Sequence, residues 1–133
     1  MLSTIEEITE TFQAVVAQVE TITSLPSRWN RRVEIGTEVN VNNSPAYSAK
    51  FRLSDSSLLL HVSLLETEAA FASLAHEAFH SVSVGLTPLT FARCVGFEEA
   101  VVETATRHFG PVIGDLLNLP SNFGSRTQFD QYL

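Results

Sequence analysis

Two histidines and a glutamate stand together in the stretch His76-Glu77-Ala78-Phe79-His80. In an α-helix, side chains four positions apart project from the same face, so His76 and His80 would lie side by side. Two imidazole nitrogens at this spacing can bind one ion at about 2.0–2.1 Å each, as tetrahedral zinc requires. Glu77 lies about 100° further around the helix, where it could reach a water on the metal without ligating the metal. The pattern predicts a zinc site with a general base beside it.

The residues around this motif favour the helix that it needs. Residues 66–75 are rich in alanine and contain neither glycine nor proline. Apolar residues recur at helical spacing on both sides of the histidines. These residues are Phe71, Leu74, Ala75, Ala78 and Val82. Although the three fixed positions of the motif also occur by chance, this apolar stripe favours a buried helix and a metal site.

A second pair of acidic residues, Glu99 and Glu103, lies four positions apart on another predicted helix. Glu99 follows His80 by 19 positions, which leaves room for a turn at residues 85–88 and a return to the metal. Its carboxylate would be the third protein ligand, and Glu103, one turn later, could accept a hydrogen bond from the outer nitrogen of a ligating histidine. Glu98 is not the predicted ligand, because the residue one turn after it is the apolar Val102. By themselves these acids would fit a solvated helix face; beside the histidine motif they favour the metal site.

These residues together resemble the gluzincin class of zinc metallopeptidases, over roughly residues 58–109. His76-Glu77-x-x-His80 matches the first gluzincin motif, and Glu99-Ala-Val-Val-Glu103 matches the second, with Glu103 where the thermolysin branch has Asp. The short chain is similar to the single-domain minigluzincins and related small zincin domains. The resemblance implies Zn²⁺ bound by His76, His80 and Glu99, with Glu77 as the base. It also implies a zincin-like α+β fold, in which about three strands of a small antiparallel or mixed sheet pack on the active-site helix.

Two functions from different classes follow. The first is a zinc-dependent metallopeptidase, in which Glu77 takes a proton from the attacking water and returns it to the leaving amine of a peptide or protein substrate. The second is a catalytically weak or inactive zincin-fold binding module, since no counterpart is evident for the transition-state histidine or tyrosine of thermolysin-like enzymes. The intact Glu77 and the open site favour the peptidase. The sequence leaves open which residue would stabilise a transition state: Tyr47, His61, His108, Arg126 or Tyr132.

The composition predicts one globular domain over residues 1–133. The chain is 44% hydrophobic and 17% charged, with a net charge of −7, which disfavours a nucleic-acid groove. No stretch is long and apolar enough to span a membrane, and the N-terminus has no signal-peptide pattern, so we expect a cytoplasmic protein. The single cysteine, Cys94, excludes an intramolecular disulfide and is interpreted as a small core residue.

Periodicity predicts the remaining elements. We expect an N-terminal helix, three strands, the motif helix, the Glu99 helix ending before Gly110-Pro111, and a short apolar helix beyond it. The predicted N-terminal helix spans 4–23, and the strands lie within 33–41, 47–53 and 57–64. His61 is interpreted as a polar residue on the outer face of the third strand, and His108 as a cation at the end of the third helix. The tail, residues 120–133, could fold over the cleft and bring Arg126 or Tyr132 to the metal, but we expect a loose terminus.

Overall fold

A computed structural model describes residues 2–119 and 126–132. Over these residues the fold is α+β, with three α-helices and a mixed three-stranded sheet. The sequence predicts this class and the three strands, but it also predicts a fourth, short helix. In chain order the elements are α1 (Ile5–Thr23), β1 (Val33–Gly36), β2 (Ala49–Phe51), β3 (Leu58–His61), a 3-10 turn (Val62–Leu64), α2 (Ala69–Ser81), α3 (Pro88–Leu116) and a last 3-10 turn (Thr127–Tyr132).

Helix α1 begins where the sequence predicts. The Thr4 hydroxyl accepts a hydrogen bond from the Glu7 N–H at 3.1 Å and satisfies one of the free N–H groups of the first turn. Its apolar stripe is buried, and Phe12, fully buried, meets the Trp29 ring edge-on with 4.7 Å between ring centroids. The helix ends at Thr23 and is capped by Ser24, which adopts the left-handed conformation with φ 58° and donates its N–H to the Glu20 carbonyl.

The sheet has the strand order β1-β3-β2, so β3 is central and β2 lies at one edge. β3 runs parallel to β1 and antiparallel to β2. All three strands are shorter than the alternating patterns that predicted them. Beyond β1 the chain makes only an isolated bridge between Val39 and Pro45, and beyond β3 it turns into a 3-10 helix. A strand continues only while a neighbour pairs with it, and the alternation of residue types does not show where that neighbour ends.

Helix α2 lies in the middle of the molecule, against α1, β2 and α3. Every residue from Ala70 to Ser81 is buried, which is expected of a helix with apolar neighbours on several sides. The fully buried Leu74, Ala75 and Ala78 join the apolar residues of α1 and β3 in one core. Within the described ranges, no α-helix is both long and apolar enough to cross a membrane.

The third helix differs most from the prediction. Helix α3 extends from Pro88 to Leu116 with a kink at Cys94, and it continues through Gly110 and Pro111, so the predicted break there and the separate apolar helix after it are wrong. Gly110 has no Cβ, which removes one of the clashes that normally keep the residue before a proline out of a helix. Buried packing of Ile113 one turn later holds the continuation. The irregularity lies instead at Cys94, with φ −135° and ψ 30°; this cysteine is exposed, and its interpretation as a core residue is wrong.

Candidate metal centre

Helices α2 and α3 bring His76, His80 and Glu99 together. The Nε2 atoms of the two histidines lie 3.1 Å apart. The Glu99 carboxylate faces both, with Oε2 at 3.0 Å from His76 Nε2 and Oε1 at 2.9 Å from His80 Nε2. Both imidazoles are buried, so folding has already removed most of the water around them.

The cluster fits a metal ion by two criteria. Two nitrogens bound to a tetrahedral ion at about 2.0 Å stand roughly 3.3 Å apart, close to the 3.1 Å between the histidine Nε2 atoms. One potential ligand atom from each of the three residues falls within 4.8 Å of the other two. Two imidazoles and one carboxylate are donors typical of catalytic zinc sites, although other divalent ions accept the same donors. The three residues could therefore hold a divalent metal ion.

A different carboxylate holds the outer nitrogen of each histidine. His76 Nδ1 donates to Glu103 Oε1 at 2.9 Å, as the sequence predicts. His80 Nδ1 donates to Glu98 Oε2 at 2.8 Å, a contact that the sequence analysis missed. A protonated Nδ1 leaves the other ring nitrogen as the ligand atom. Both hydrogen bonds therefore favour Nε2 as the atom that would bind a metal, and both Nε2 atoms face the Glu99 carboxylate.

The sequence predicts no role for Glu98 at the metal, because the apolar Val102 follows it one turn later. Its carboxylate instead reaches the end of α2, where the Ser83 hydroxyl also donates to it at 2.7 Å. The one sequence signal that could have indicated this role is its position directly beside Glu99. Neighbouring helix residues point about 100° apart, so two such acids can approach the histidine pair from different sides.

Glu103 is fully buried, and two arginines compensate its charge. Arg126 donates from Nε to Glu103 Oε2 and from Nη2 to Oε1, both at 2.6 Å, and Arg107 Nε donates to Oε2 at 2.9 Å. The ring of Phe129 lies against the His76 imidazole, with 4.5 Å between centroids. Arg126 and Phe129, in the segment expected to be a loose terminus, therefore contact the cluster. Residues 120–125 and 133 of that segment lie outside the described part of the chain.

The electrostatics of the metal-free cluster are those of protonated imidazoles between carboxylates. Burial disfavours an imidazolium at His80, but its hydrogen bonds to Glu98 and Glu99 outweigh this and raise its pKa to about 10. Burial also disfavours ionised Glu99, yet the bonds with both histidines outweigh it and lower its pKa to about 2. The pKa of Glu103 is likewise about 2, because hydrogen bonds from Arg126, His76 and Arg107 outweigh the effect of burial. A metal ion would replace protons in this cluster.

Glu77 lies beside these histidines and lines the same cavity, and its carboxylate reaches strand β2. Its Oε1 accepts the backbone N–H of Phe51 at 2.8 Å. The side chain is buried, and burial raises the pKa of its carboxyl above the ordinary value, with His76 and His80 opposing that shift. A carboxylate tuned in this direction is suited to accept a proton near neutral pH.

An open cleft of about 590 Å³ lies in front of the cluster. Its lining includes the edge strand β2, the three motif residues His76, Glu77 and His80, and the apolar side chains of Leu86, Pro88 and Phe91. A second cavity, of about 430 Å³, shares Ala49, His76, Glu77 and Phe129 with the first. The Phe129 ring therefore borders both spaces.

The five residues considered as transition-state stabilisers lie in different surroundings. Tyr47 and Arg126 line the second cavity, whereas Tyr132 lines neither of the two cavities. His61 is buried, with Nε2 at 2.8 Å from the Glu38 carbonyl, so its interpretation as an outward-facing residue is wrong. His108 is exposed two turns before the end of α3, not at that end, since the helix continues through Pro111.

No protein-family model, no curated protein and no solved structure matches the chain. The resemblance to gluzincins therefore rests on the two motifs and on the cluster that they form.

Proposed function

We propose that this protein is a zinc-dependent peptidase. The observation that carries the proposal is the convergence of His76 Nε2, His80 Nε2 and Glu99 on one point, with each histidine held at Nδ1 by its own carboxylate. Three protein donors leave a fourth position of a tetrahedral ion open, as in catalytic zinc sites, whereas structural sites are closed by four protein ligands.

Glu77 is the proposed general base. When bound, zinc would lower the pKa of a water toward about 7 and polarise a carbonyl group. Glu77 takes the proton from the attacking water and delivers it to the leaving amine. Its hydrogen bond from Phe51 fixes one carboxylate oxygen and so orients the group toward the cleft. General base catalysis of this kind raises the reaction rate by a factor of about 10²–10⁴.

The edge of strand β2 supports a peptide as the substrate. Ser48 and Arg52 make backbone hydrogen bonds toward β3, since the Ser48 carbonyl accepts from His61 and the Arg52 N–H donates to Ser57. Because the bonding direction alternates along a strand, the N–H and C=O of Ala49 and the C=O of Phe51 face the cleft. An extended chain could pair with these groups and lie across the metal. The apolar lining residues Leu86, Pro88 and Phe91 would contact an apolar side chain of that substrate.

The alternative is a zinc-containing binding module without turnover. It is favoured by the same hydrogen bond between Glu77 and Phe51, which would give a buried carboxylate a structural role in attaching α2 to β2. The two functions differ in what happens when Glu77 loses its charge.

The test is the Glu77→Gln variant, with Glu68→Gln as the matched control on an exposed position just before α2. Zinc content, thermal unfolding and cleavage of casein and of a mixed peptide library are measured, with and without a chelator. The peptidase proposal predicts that Glu77→Gln retains one zinc per chain and loses at least about 100-fold in hydrolysis, while Glu68→Gln behaves as the unmodified protein. Equal cleavage by both variants would refute it. Loss of stability without any chelator-sensitive cleavage in the unmodified protein would favour the binding module.

A further inference from the structure

The two histidines of the cluster are supported very differently. Glu98, which holds His80, is partly exposed and otherwise bonded to the hydroxyl of Ser83. Glu103, which holds His76, is fully buried and bonded to two guanidinium groups. A buried carboxylate needs compensation of its charge, because an unpaired ion in the interior is strongly destabilising.

Arg126 supplies most of that compensation. Its guanidinium spans both carboxylate oxygens at 2.6 Å, the bidentate geometry that fixes the plane of a carboxylate as well as its charge. The side chain of Arg126 is 8% exposed, against 37% for Arg107, which reaches only one oxygen of Glu103. Arg126 is thus the more desolvated and the more constraining of the two partners.

The contacts of Arg126 continue directly to His76. Glu103 Oε1 accepts from both Arg126 Nη2 and His76 Nδ1, so the oxygen that orients the imidazole is itself held by the guanidinium. The guanidinium also lies 4.7 Å from the centre of the Phe129 ring, and this ring covers the His76 imidazole. The described C-terminal residues therefore restrain His76 at its outer nitrogen and at its face.

We infer that Arg126 is a positioning residue of the metal centre, acting through Glu103 to set the orientation of His76. This inference rests on the proposed metal site but not on peptide hydrolysis. It makes Arg126 and Phe129 part of the site, although neither is among the three candidate metal ligands. His80, held by Glu98 on the far side, does not depend on it.

The experiment compares zinc affinity, by chelator competition, in Arg126→Gln, Arg126→Lys and the control Arg107→Gln. Loss of an outer-sphere partner typically lowers metal affinity about 10–100-fold, and we expect about 10-fold for Arg126→Gln. Arg126→Lys keeps the charge but cannot span both oxygens, so its affinity should fall between those of the unmodified protein and Arg126→Gln. Arg107→Gln should stay within about threefold, since partly exposed ion pairs contribute little. Equal affinity of Arg126→Gln and the unmodified protein would overturn the inference.

Two further measurements separate positioning from a general loss of stability. In the cobalt-substituted protein, proton NMR should show the Nδ1–H signals of His76 and His80, and Arg126→Gln should move only that of His76. In a Glu103→Gln background, Arg126→Gln should add less than about threefold, since interacting positions are not additive. Equal displacement of both signals, or full additivity, would contradict the role. If the unmodified protein binds no zinc, the proposed function fails. If it binds zinc and Arg126→Gln leaves the zinc affinity unchanged, only this inference fails.

Discussion

The adjacent residues Glu98 and Glu99 provide the sharpest test of the site, because the structure gives them different tasks. Glu99 faces the Nε2 atoms of both histidines, at 2.9 and 3.0 Å, where a metal ion would lie. Glu98 holds the outer nitrogen of His80 at 2.8 Å. The Ala variants at these two positions should therefore weaken zinc binding by different amounts.

The magnitudes follow from those positions. Structural zinc sites with four ligands bind with about 10–16 kcal/mol, or roughly 2.5–4 kcal/mol per ligand, so Glu99→Ala should cost about 10²–10³ in affinity. Loss of an outer partner costs about 10–100-fold, and the partly exposed Glu98 should lie near the lower end. The assay is competition with a chromophoric chelator at one pH and salt concentration. Thermal unfolding in the presence of a chelator identifies variants that fail to fold.

The order of the two effects decides the outcome. Ser83→Ala removes the other partner of Glu98 without touching a histidine and serves as the control, with an expected loss below about threefold. If Glu98→Ala weakened zinc binding as much as Glu99→Ala, the arrangement of α3 against α2 described above would be wrong, and Glu98 would be the ligand.

Two other perturbations test the electrostatics and the second cavity. Zinc affinity should rise with pH by at least about tenfold per unit between pH 7 and 9, because the metal displaces a proton from His80, whose pKa is about 10 in the metal-free protein, and the pKa of His76 is raised as well. The same raised pKa stabilises the metal-free fold fully below the ordinary value of 6.5, and this contribution should disappear as pH rises through about 10. Chelator competition and thermal unfolding across this range measure both effects, and a pH-independent affinity would contradict the first. Tyr47→Phe removes a buried hydroxyl that has no hydrogen-bond partner among the described residues, while it keeps the ring packed edge-on to His61. The free energy of unfolding of this variant, measured by chemical denaturation, should stay unchanged or rise by about 1 kcal/mol. A clear decrease in that free energy would show that the hydroxyl has a partner.

The sequence predicted the candidate metal cluster of His76, His80 and Glu99 better than it predicted the ends of the helices and strands around it. The four-residue spacings of His76 with His80 and of Glu99 with Glu103 are properties of a single helix, which local sequence determines. The burial of α1 and α2 also followed from apolar residues at helical spacing. These predictions depend only on neighbours within about one helical turn. In the structure His76 and His80 lie in α2, Glu99 lies in α3 and all three contact one another, while Glu103 of α3 contacts His76.

Predictions failed where distant residues decide the outcome. The strands end where pairing partners end, and α3 continues through Pro111 because the packing of Ile113 outweighs the hydrogen bond that proline cannot make. Cys94 was expected in the core but is exposed, and His61 was expected on the outer face of its strand but is buried. Exposure at a single position depends on what packs against it.

What the sequence by itself determined is the donor set and its two helical spacings. Only the tertiary structure decided that Glu98 holds His80, that Arg126 clamps Glu103, and that Phe129 covers His76. The contacts of Glu103 and His76 with the C-terminal segment span 23 to 53 positions of the chain, and the angle and offset between α2 and α3 bring Glu98 and His80 together. No local periodicity encodes that packing, because it results from the burial of the whole core at once.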